Sequence, residues 1–497
     1  MKAASNCHVI RFPILMISVL VMLFCLYCHP NPVQHEQSLD SFVASLEKRI
    51  PDLMAKYGIP GVSLAIVRDG RPAWSGAYGY ADLEQKDKMT LDAICRVESI
   101  SKSVTAWGVL NLVEKGVLQL DAPVTQYLES WTLPESKYSE QDITIRRLLS
   151  NTAGMPLGTI GEKSEYDPRG RVPALRDYLK NEAQLVREPG SGFLYSNVGF
   201  NLLELIVEEV ADRDFAAYMA DEILKPLGMQ HSSFAWNADI HPFIPTGYEL
   251  DGEPVAPYVY SGAASGGLFA TVDDIARFVA AGMPGHFSAD SVLTEAAIRR
   301  LYAPEVEIPG LFGFVADAYG LGHFIETLPD GQKAVWHGGQ GHGWMTHFHS
   351  VPETGDGIVI LTNSQRSWPF MAQVLSDWAT WSGLKAVNMG RITHATSAFK
   401  VVFGFILLVS LWLLYRLAAG LYRGKRTFAP FSESRPITRL FQALTGFLMM
   451  GLLLWSIAQP YLFVSSIFPN LVGLAGFSVL GLAIILVVTS LWTETTP

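Results

Sequence analysis

The sequence predicts an α/β domain with an all-helical insertion over residues 37–385, followed by a three-helix membrane domain over residues 397–493. Two observations carry that prediction. Between Leu39 and Leu384 short β-type runs come first, helical patterns fill the middle, and strands with a closing helix end the segment. Beyond Leu384 three apolar runs follow, about 401–422, 440–459 and 464–492, each long enough to cross the hydrocarbon core. Bulk composition agrees, because 49% hydrophobic against 17% charged residues and a mean hydropathy of +0.22 are too apolar for a purely soluble chain.

Taken in order, residues 1–36 carry Lys2 and Arg11 ahead of an apolar run to about Cys28, which reads as a signal peptide or signal anchor. No small-residue cleavage pattern follows, which favours an uncleaved anchor. Leu39 to Lys56 has helical periodicity through Phe42, Val43, Leu46, Ile50 and Leu53. Val62–Val67 and Pro72–Tyr80 read as strands around an Asp69-Gly70 turn. Ala93–Val97 is a short β-type run that leads into an amphipathic helix opened by Ser99 and stopped by Gly116. Helical signals dominate from Ala174 to Leu227, and Thr271 caps another helix to Ala281. Strand patterns return at Val335-Trp336, Trp344–His349 and Gly357–Leu361, and a last helix spans about Pro369–Trp381.

Charge and cysteines exclude several classes. A net charge of −10 with no basic stripe gives no sign of nucleic-acid binding. Three of the four cysteines (Cys7, Cys25, Cys28) lie in the leader, so the domain holds Cys95 alone and forms no internal disulfide; Cys95 reads as a buried small hydrophobe. The loop between the first two apolar runs holds Arg416, Arg423, Lys425, Arg426, Arg435 and Arg439 against Glu433, which marks it as cytoplasmic. The expected topology is a multi-pass protein of the cell (inner) membrane with its large domain on the extracytoplasmic, periplasmic side. The expected partners are the lipid bilayer and a small-molecule or peptide substrate; the sequence does not give an oligomeric state.

The chemistry starts at Ser99. At a helix N-terminus, free N–H groups and partial positive charge favour a developing anion. Lys102, three residues on, returns to the same face and can take the serine proton. The pattern is weak by itself, since Ser45/Lys48 and Ser397/Lys400 repeat it. Two further motifs follow in order: Tyr195-Ser196-Asn197, between a glycine-rich turn and a helix, and His337-Gly338-Gly339 on a late strand.

Together, Ser-x-x-Lys, Tyr-x-Asn and a basic residue with x-Gly form the motif set of serine β-lactamases and penicillin-binding proteins. The sequence resembles the class C β-lactamase branch of that family over about residues 40–385. LLSNTAGMP is similar to that branch's L-L-x-H-T-S-G, and SGAASGGLFATVDDIARF to its glycine-rich turn before a helix. The resemblance implies an antiparallel sheet flanked by helices with an all-helical subdomain. It implies Ser99 as nucleophile forming an acyl-enzyme, and Lys102 and Tyr195 as the proton-transfer pair. It further implies backbone N–H groups of Ser99 and Gln340 as the oxyanion hole, and Asn197, His337, Gly338 and Gly339 as substrate-binding residues. Two departures stand out: Asn151 and Ala153 replace the usual histidine and serine of H-T-S-G, and His337 replaces a lysine. The second lowers β-lactamase as native activity, since histidine is often neutral at pH 7.

His323, His337, His342, His347 and His349, five of twelve histidines, fall within a short span that a metal site could use. With no His-Glu-x-x-His and no carboxylate at ligand spacing, no metal and no cofactor is expected, and the histidines read as strand-surface or pocket-lining. The architecture, an exported domain of this family joined to three C-terminal spans, is similar to membrane-bound prodrug-activating peptidases of the colibactin-maturation type. That similarity implies a D-amino-acid-specific peptidase as one option. Gly341, where those enzymes carry an asparagine, and Ala263 and Ala264, where a recognising histidine would stand, depart from the pattern. The broader expectation is a membrane-tethered serine hydrolase cleaving an amide or ester. The alternatives are β-lactamase or DD-peptidase-like activity on cell-wall-type substrates, and a non-hydrolytic membrane sensor acylated by its ligand.

Overall fold

The computed structural model describes residues 38–494 apart from 238–242, 284–290, 311, 431–435, 458–462 and 470. The expected signal segment 1–36 lies outside the described residues. Helix α1 (Leu39–Tyr57) starts where the Ser38 side chain accepts from the Ser41 N–H. Strands β1 (Gly61–Arg68) and β2 (Arg71–Asp82) follow as a hairpin whose Asp69 and Gly70 both have positive φ, as the turn type that matches strand twist requires. A short β3 (Asp87–Lys88) closes that edge, and β4 (Cys95–Arg96) runs into α2 (Ile100–Glu114).

The helical lobe contains α3 (Ile145–Leu149), α4 (Leu175–Glu182), α5 (Asn197–Ala211) and α6 (Phe215–Met219). A small hairpin, β5 (Gly247–Tyr248) and β6 (Pro254–Val255), precedes β7 (Phe269–Ala270), which pairs with β4. Then come α7 (Val272–Ala281), capped by Thr271 as the sequence predicts, and α8 (Glu295–Leu301). The chain returns through β8 (Val306–Glu307), β9 (Ala318–Tyr319), β10 (Phe324–Thr327), β11 (Lys333–Gly341), β12 (Trp344–Val351) and β13 (Asp356–Thr362) to α9 (Trp368–Trp381).

Nine of these strands form one antiparallel sheet in the order β3-β2-β1-β13-β12-β11-β10-β9-β8. Helices cover both faces, so its central strands are apolar on both sides rather than alternating. In β1, Val62, Leu64 and Ile66 join one core with α1 and α9, while Ala65 and Val67 join the other with α2, α5 and α7. Val359 and Leu361 of β13 repeat the split against Ile358 and Ile360. Helix α2 departs from expectation. It is not amphipathic: every residue from Ile100 to Leu112 is buried, because the sheet lies on one side and the helical lobe on the other. Its polar residues are admitted by specific bonds, Ser103 Oγ donating to Gly322 O and Thr105 Oγ1 to Ala264 O.

Among the described residues three helices are long and apolar enough to cross a membrane: α10 (Arg391–Tyr422), α11 (Pro436–Ile457) and α13 (Val472–Leu491). The third apolar run, read as one segment from the sequence, holds two helices. A short α12 (Phe463–Ile467) precedes Pro469, which cannot continue a helical hydrogen-bond ladder. At one end of the bundle, β14 (Arg426–Phe428) pairs with β15 (Trp492–Glu494). At the other end, Ile467 and Phe468 pack on the α1–α9 core, and the Phe468 ring meets Phe399 of α10 edge-on at 5.1 Å.

Candidate active site

Val97 and Glu98 turn the chain from β4 into α2. The Val97 N–H bonds Leu268 O, Ser101 Oγ donates to Glu98 O, and the Leu268 N–H donates to Ser101 Oγ. Ser99 then occupies the N-cap position, but its hydroxyl caps nothing. It accepts instead from Lys102 Nζ at 3.0 Å, and Tyr195 is hydrogen-bonded to it as well. Lys102 also donates to Asn197 Oδ1 at 2.8 Å and to Ser265 O at 2.6 Å. Ser99, Lys102, Tyr195 and Asn197, distant in sequence, therefore meet at the junction of sheet and helical lobe. Ser99 keeps partial exposure while Lys102 has none.

Burial sets the charge states. With desolvation dominant, and only Glu98 pulling the other way, the Lys102 ammonium is lowered to about 7. Burial raises the Tyr195 phenol above its ordinary value, so it stays protonated. A neutral amine 3.0 Å from a serine hydroxyl can accept its proton, and a protonated phenol at the same oxygen can deliver one.

The other Ser-x-x-Lys pairs lack such surroundings. Ser45 Oγ and Ser397 Oγ bond carbonyls of their own helices, Phe42 O and Thr393 O. A further one, Ser382/Lys385, follows α9 with its lysine exposed. Cys95 is buried and its thiol is pushed up to about 12 by desolvation, which suits a packing role.

The sequence points to none of the groups that hold the nucleophile turn. Glu98 sits at φ 51, an uncommon conformation for a residue with a side chain. Its buried carboxylate pairs with Arg96 Nε at 3.0 Å and accepts from Tyr258 and Tyr260 hydroxyls. Arg96 in turn lies over the Tyr258 ring at 4.0 Å and beside Phe269 at 4.9 Å. The one available signal is the charged Arg96-x-Glu98 pair inside a β-type run, since buried charges need partners. Asn151, one of the departures in LLSNTAGMP, supports the tyrosine loop. It adopts φ 55, its Oδ1 accepts from the Ser196 N–H at 3.0 Å, and its carbonyl accepts from the Leu194 N–H at 2.8 Å. Glu204, raised to about 8 by burial, accepts from the Ala264 N–H behind Ser265.

Strand β11 forms the facing wall. It pairs with β12 throughout Val335–Gly341, but its pairing with β10, which begins at Phe324, reaches only as far as Trp336. From His337 onward the β10 side of β11 is therefore an open strand edge. Gly339 lets this edge close on the nucleophile turn: a Cβ there would lie 2.2 Å from Val97 O and 2.2 Å from Thr346 Oγ1. A Cβ at Gly341 would strike the Glu98 carboxylate, at 2.2 Å from its Cδ.

His337 corrects an expectation. Predicted to bind substrate, it has no exposed surface and stands behind Tyr195 instead, ring centroids 6.3 Å apart. Its Nδ1 lies 2.8 Å from Gly338 O, which can only accept, so Nδ1 carries the proton. Nε2 is then the acceptor for the Tyr319 hydroxyl at 3.2 Å. Desolvation, with Lys102 adding to it, keeps the ring well below its ordinary pKa and neutral. His347 and His349 are likewise buried in the core rather than on a surface or pocket wall, their rings against Trp336, Trp368 and Trp378. His342 alone is held cationic: side-chain bonds to Glu165 at 2.8 Å and Glu249 at 2.9 Å raise it to about 9. Among the described residues no group of three or more His, Cys, Asp or Glu is arranged to hold a metal ion.

An antiparallel sheet with a helical lobe at one end, and a Ser-x-x-Lys turn where they meet, is the architecture of β-lactamase/transpeptidase-like folds. The chain belongs to the β-lactamase family of serine hydrolases, whose family model (Beta-lactamase) matches residues 46–374. It is similar to Protein flp of Staphylococcus aureus (strain MRSA252), 31% identical over 199 residues, which are 40% of this chain and 40% of flp. The chain thus spans only two fifths of that relative's length. Esterase EstB of Burkholderia gladioli is 28% identical over 380 residues, covering 67% of this chain and 93% of EstB. Among solved structures, the octameric penicillin-binding protein homologue from Pyrococcus abyssi superposes with a TM-score of 0.55 at 28% identity, over 65% of this chain and 73% of that one.

Proposed function

We propose that the protein is a membrane-tethered serine hydrolase that cleaves an amide or ester through an acyl-enzyme on Ser99, on the extracytoplasmic face. The observation that carries this reading is the Ser99–Lys102–Tyr195 contact set with Lys102 lowered to about 7. Ser99 Oγ attacks the carbonyl carbon as Lys102 Nζ takes its proton. The Tyr195 hydroxyl, held protonated, donates to the leaving group and regains a proton from Lys102, which carries the one taken from Ser99. Water then attacks the acyl carbon as the again neutral Lys102 takes its proton, and Lys102 gives that proton to Ser99 Oγ as the acyl–oxygen bond breaks. Backbone N–H groups of Ser99 and Gln340 receive the developing oxyanion, a contribution of about 3–4 kcal/mol by analogy with measured donors. Asn197 orients a substrate amide, and Gly338 and Gly339 give substrate access to the open β11 edge.

The esterase or peptidase side of the family is favoured over β-lactamase. A neutral, buried His337 offers no cation to a substrate carboxylate, and the match to EstB runs over 93% of its length. The sidedness rests on the basic residues of the α10–α11 connection. Packing of Ile467 and Phe468 on the large domain supports it, since one span, α11, separates that connection from theirs and so puts the two on opposite sides. The test is hydrolysis of p-nitrophenyl esters and acyl-D-amino amides by the purified full-length protein in detergent. Steady turnover supports the reading; a single stoichiometric acylation without turnover would instead indicate a sensor.

Two substitutions probe the supports. Gly339→Ala must separate β11 from the nucleophile turn, so kcat/KM should fall by about 100-fold, the scale of a 1 Å misplacement. Steady-state kinetics with the fold checked by circular dichroism reads this. Asn151→Val orphans the Ser196 N–H and puts a β-branched residue at positive φ. Stability should drop by about 2–4 kcal/mol, seen as a lower denaturation midpoint in detergent.

A further inference from the structure

The segment joining the second and third spans reaches the edge of the site. In α12, the buried Ser466 hydroxyl accepts from Gln340 Nε2 at 2.8 Å. The other end of the same amide, Oε1, accepts from Trp368 Nε1 at 3.0 Å. Indole nitrogen only donates, so the amide orientation is determined: oxygen towards Trp368, nitrogen towards Ser466. Gln340 lies on the stretch of β11 that has no β10 partner, one residue from the Gly339 that packs on Val97 and Glu98. Next to Ser466, Ile467 and Phe468 pack on the core that contains Trp368, and Phe468 meets Phe399 of the first span.

Apolar contacts alone suffice to dock a loop on a domain. A buried side chain–side chain bond adds little net stability, but it specifies one geometry, because either partner left unpaired is penalised. Here the geometry specified is that of a residue on the open β11 edge. We infer that α12, between the second and third spans, is a positioning element of the active site, in which Ser466 and Trp368 together fix Gln340 and hold the β11 edge against the nucleophile turn. The membrane domain thereby completes the catalytic wall, besides anchoring it. This rests on the hydrolase reading for its kinetic consequence, while the docking itself is independent of it.

The experiment uses the full-length protein in nanodiscs with Ser466→Ala, Ser466→Leu and Ser466→Thr. Hydrogen exchange of amides in 337–341 should quicken about tenfold in the alanine and leucine variants, as for loss of one net hydrogen bond, and stay near wild type in the threonine variant. With a p-nitrophenyl ester, kcat per fluorophosphonate-titrated site should fall about tenfold with KM within twofold, and threonine should restore it. A merely structural role would lower the number of titrated sites and leave kcat per site unchanged. Unchanged exchange at 337–341 in Ser466→Leu overturns the inference whatever the activity. If the wild type shows neither labelling nor turnover while exchange responds as expected, the hydrolase reading fails and the docking stands.

Discussion

Replacing Ser99 by alanine is expected to lower turnover of any ester or amide substrate by about 10⁶, the scale seen when a triad nucleophile is removed. The fold should survive. Ser99 is partly exposed, its hydroxyl caps no helix, and its Lys102 donor keeps Asn197 and Ser265 as acceptors. Thermal unfolding in detergent should therefore match wild type while burst and steady-state phases of p-nitrophenyl ester hydrolysis both disappear. Ser45→Ala and Ser397→Ala, in the decoy pairs, should change neither, because each hydroxyl bonds only a carbonyl of its own helix turn.

The second large effect is on pH. On the proposed mechanism acylation needs neutral Lys102, and burial puts its midpoint at about 7. Below that value each pH unit removes about nine-tenths of the neutral amine, so kcat/KM should fall tenfold per unit on the acid side and level off above 7. Lys102→Ala should cost about 10²–10⁴ in kcat/KM and abolish this limb, leaving a profile flat through neutrality. The assignment of base has a clear contrary outcome. Were Tyr195 the proton acceptor, its raised pKa would make the rate climb through the whole alkaline range.

Much of the architecture is legible in the sequence because local pattern and burial agree. The Asp69-Gly70 hairpin and the Thr271 cap rest on nearest-neighbour chemistry, and their elements fall within a few residues of expectation, while the apolar runs give the number of long helices but not where the first and third begin. Helix α2 misleads because its buried polar residues look like a solvent face. Ser101, Ser103 and Thr105 are admitted to the core by carbonyls at positions 98, 322 and 264, which no local pattern reveals. His337 misleads for a related reason. Its place in a motif suggests a group facing substrate, whereas the neighbours that decide its role, Tyr319 and the Gly338 carbonyl, turn it inward. Likewise Gln340 gives no sign in sequence of its bond to a membrane-domain serine more than a hundred residues away.

The covalent adduct itself tests the central claim most directly. Full-length protein incubated with a fluorophosphonate at pH 8, where Lys102 is mostly neutral, should gain one adduct per chain by intact mass. Peptide mapping should place it on Ser99 alone. An adduct on any other residue, or an unmodified Ser99 in protein that still turns over ester, would contradict the account.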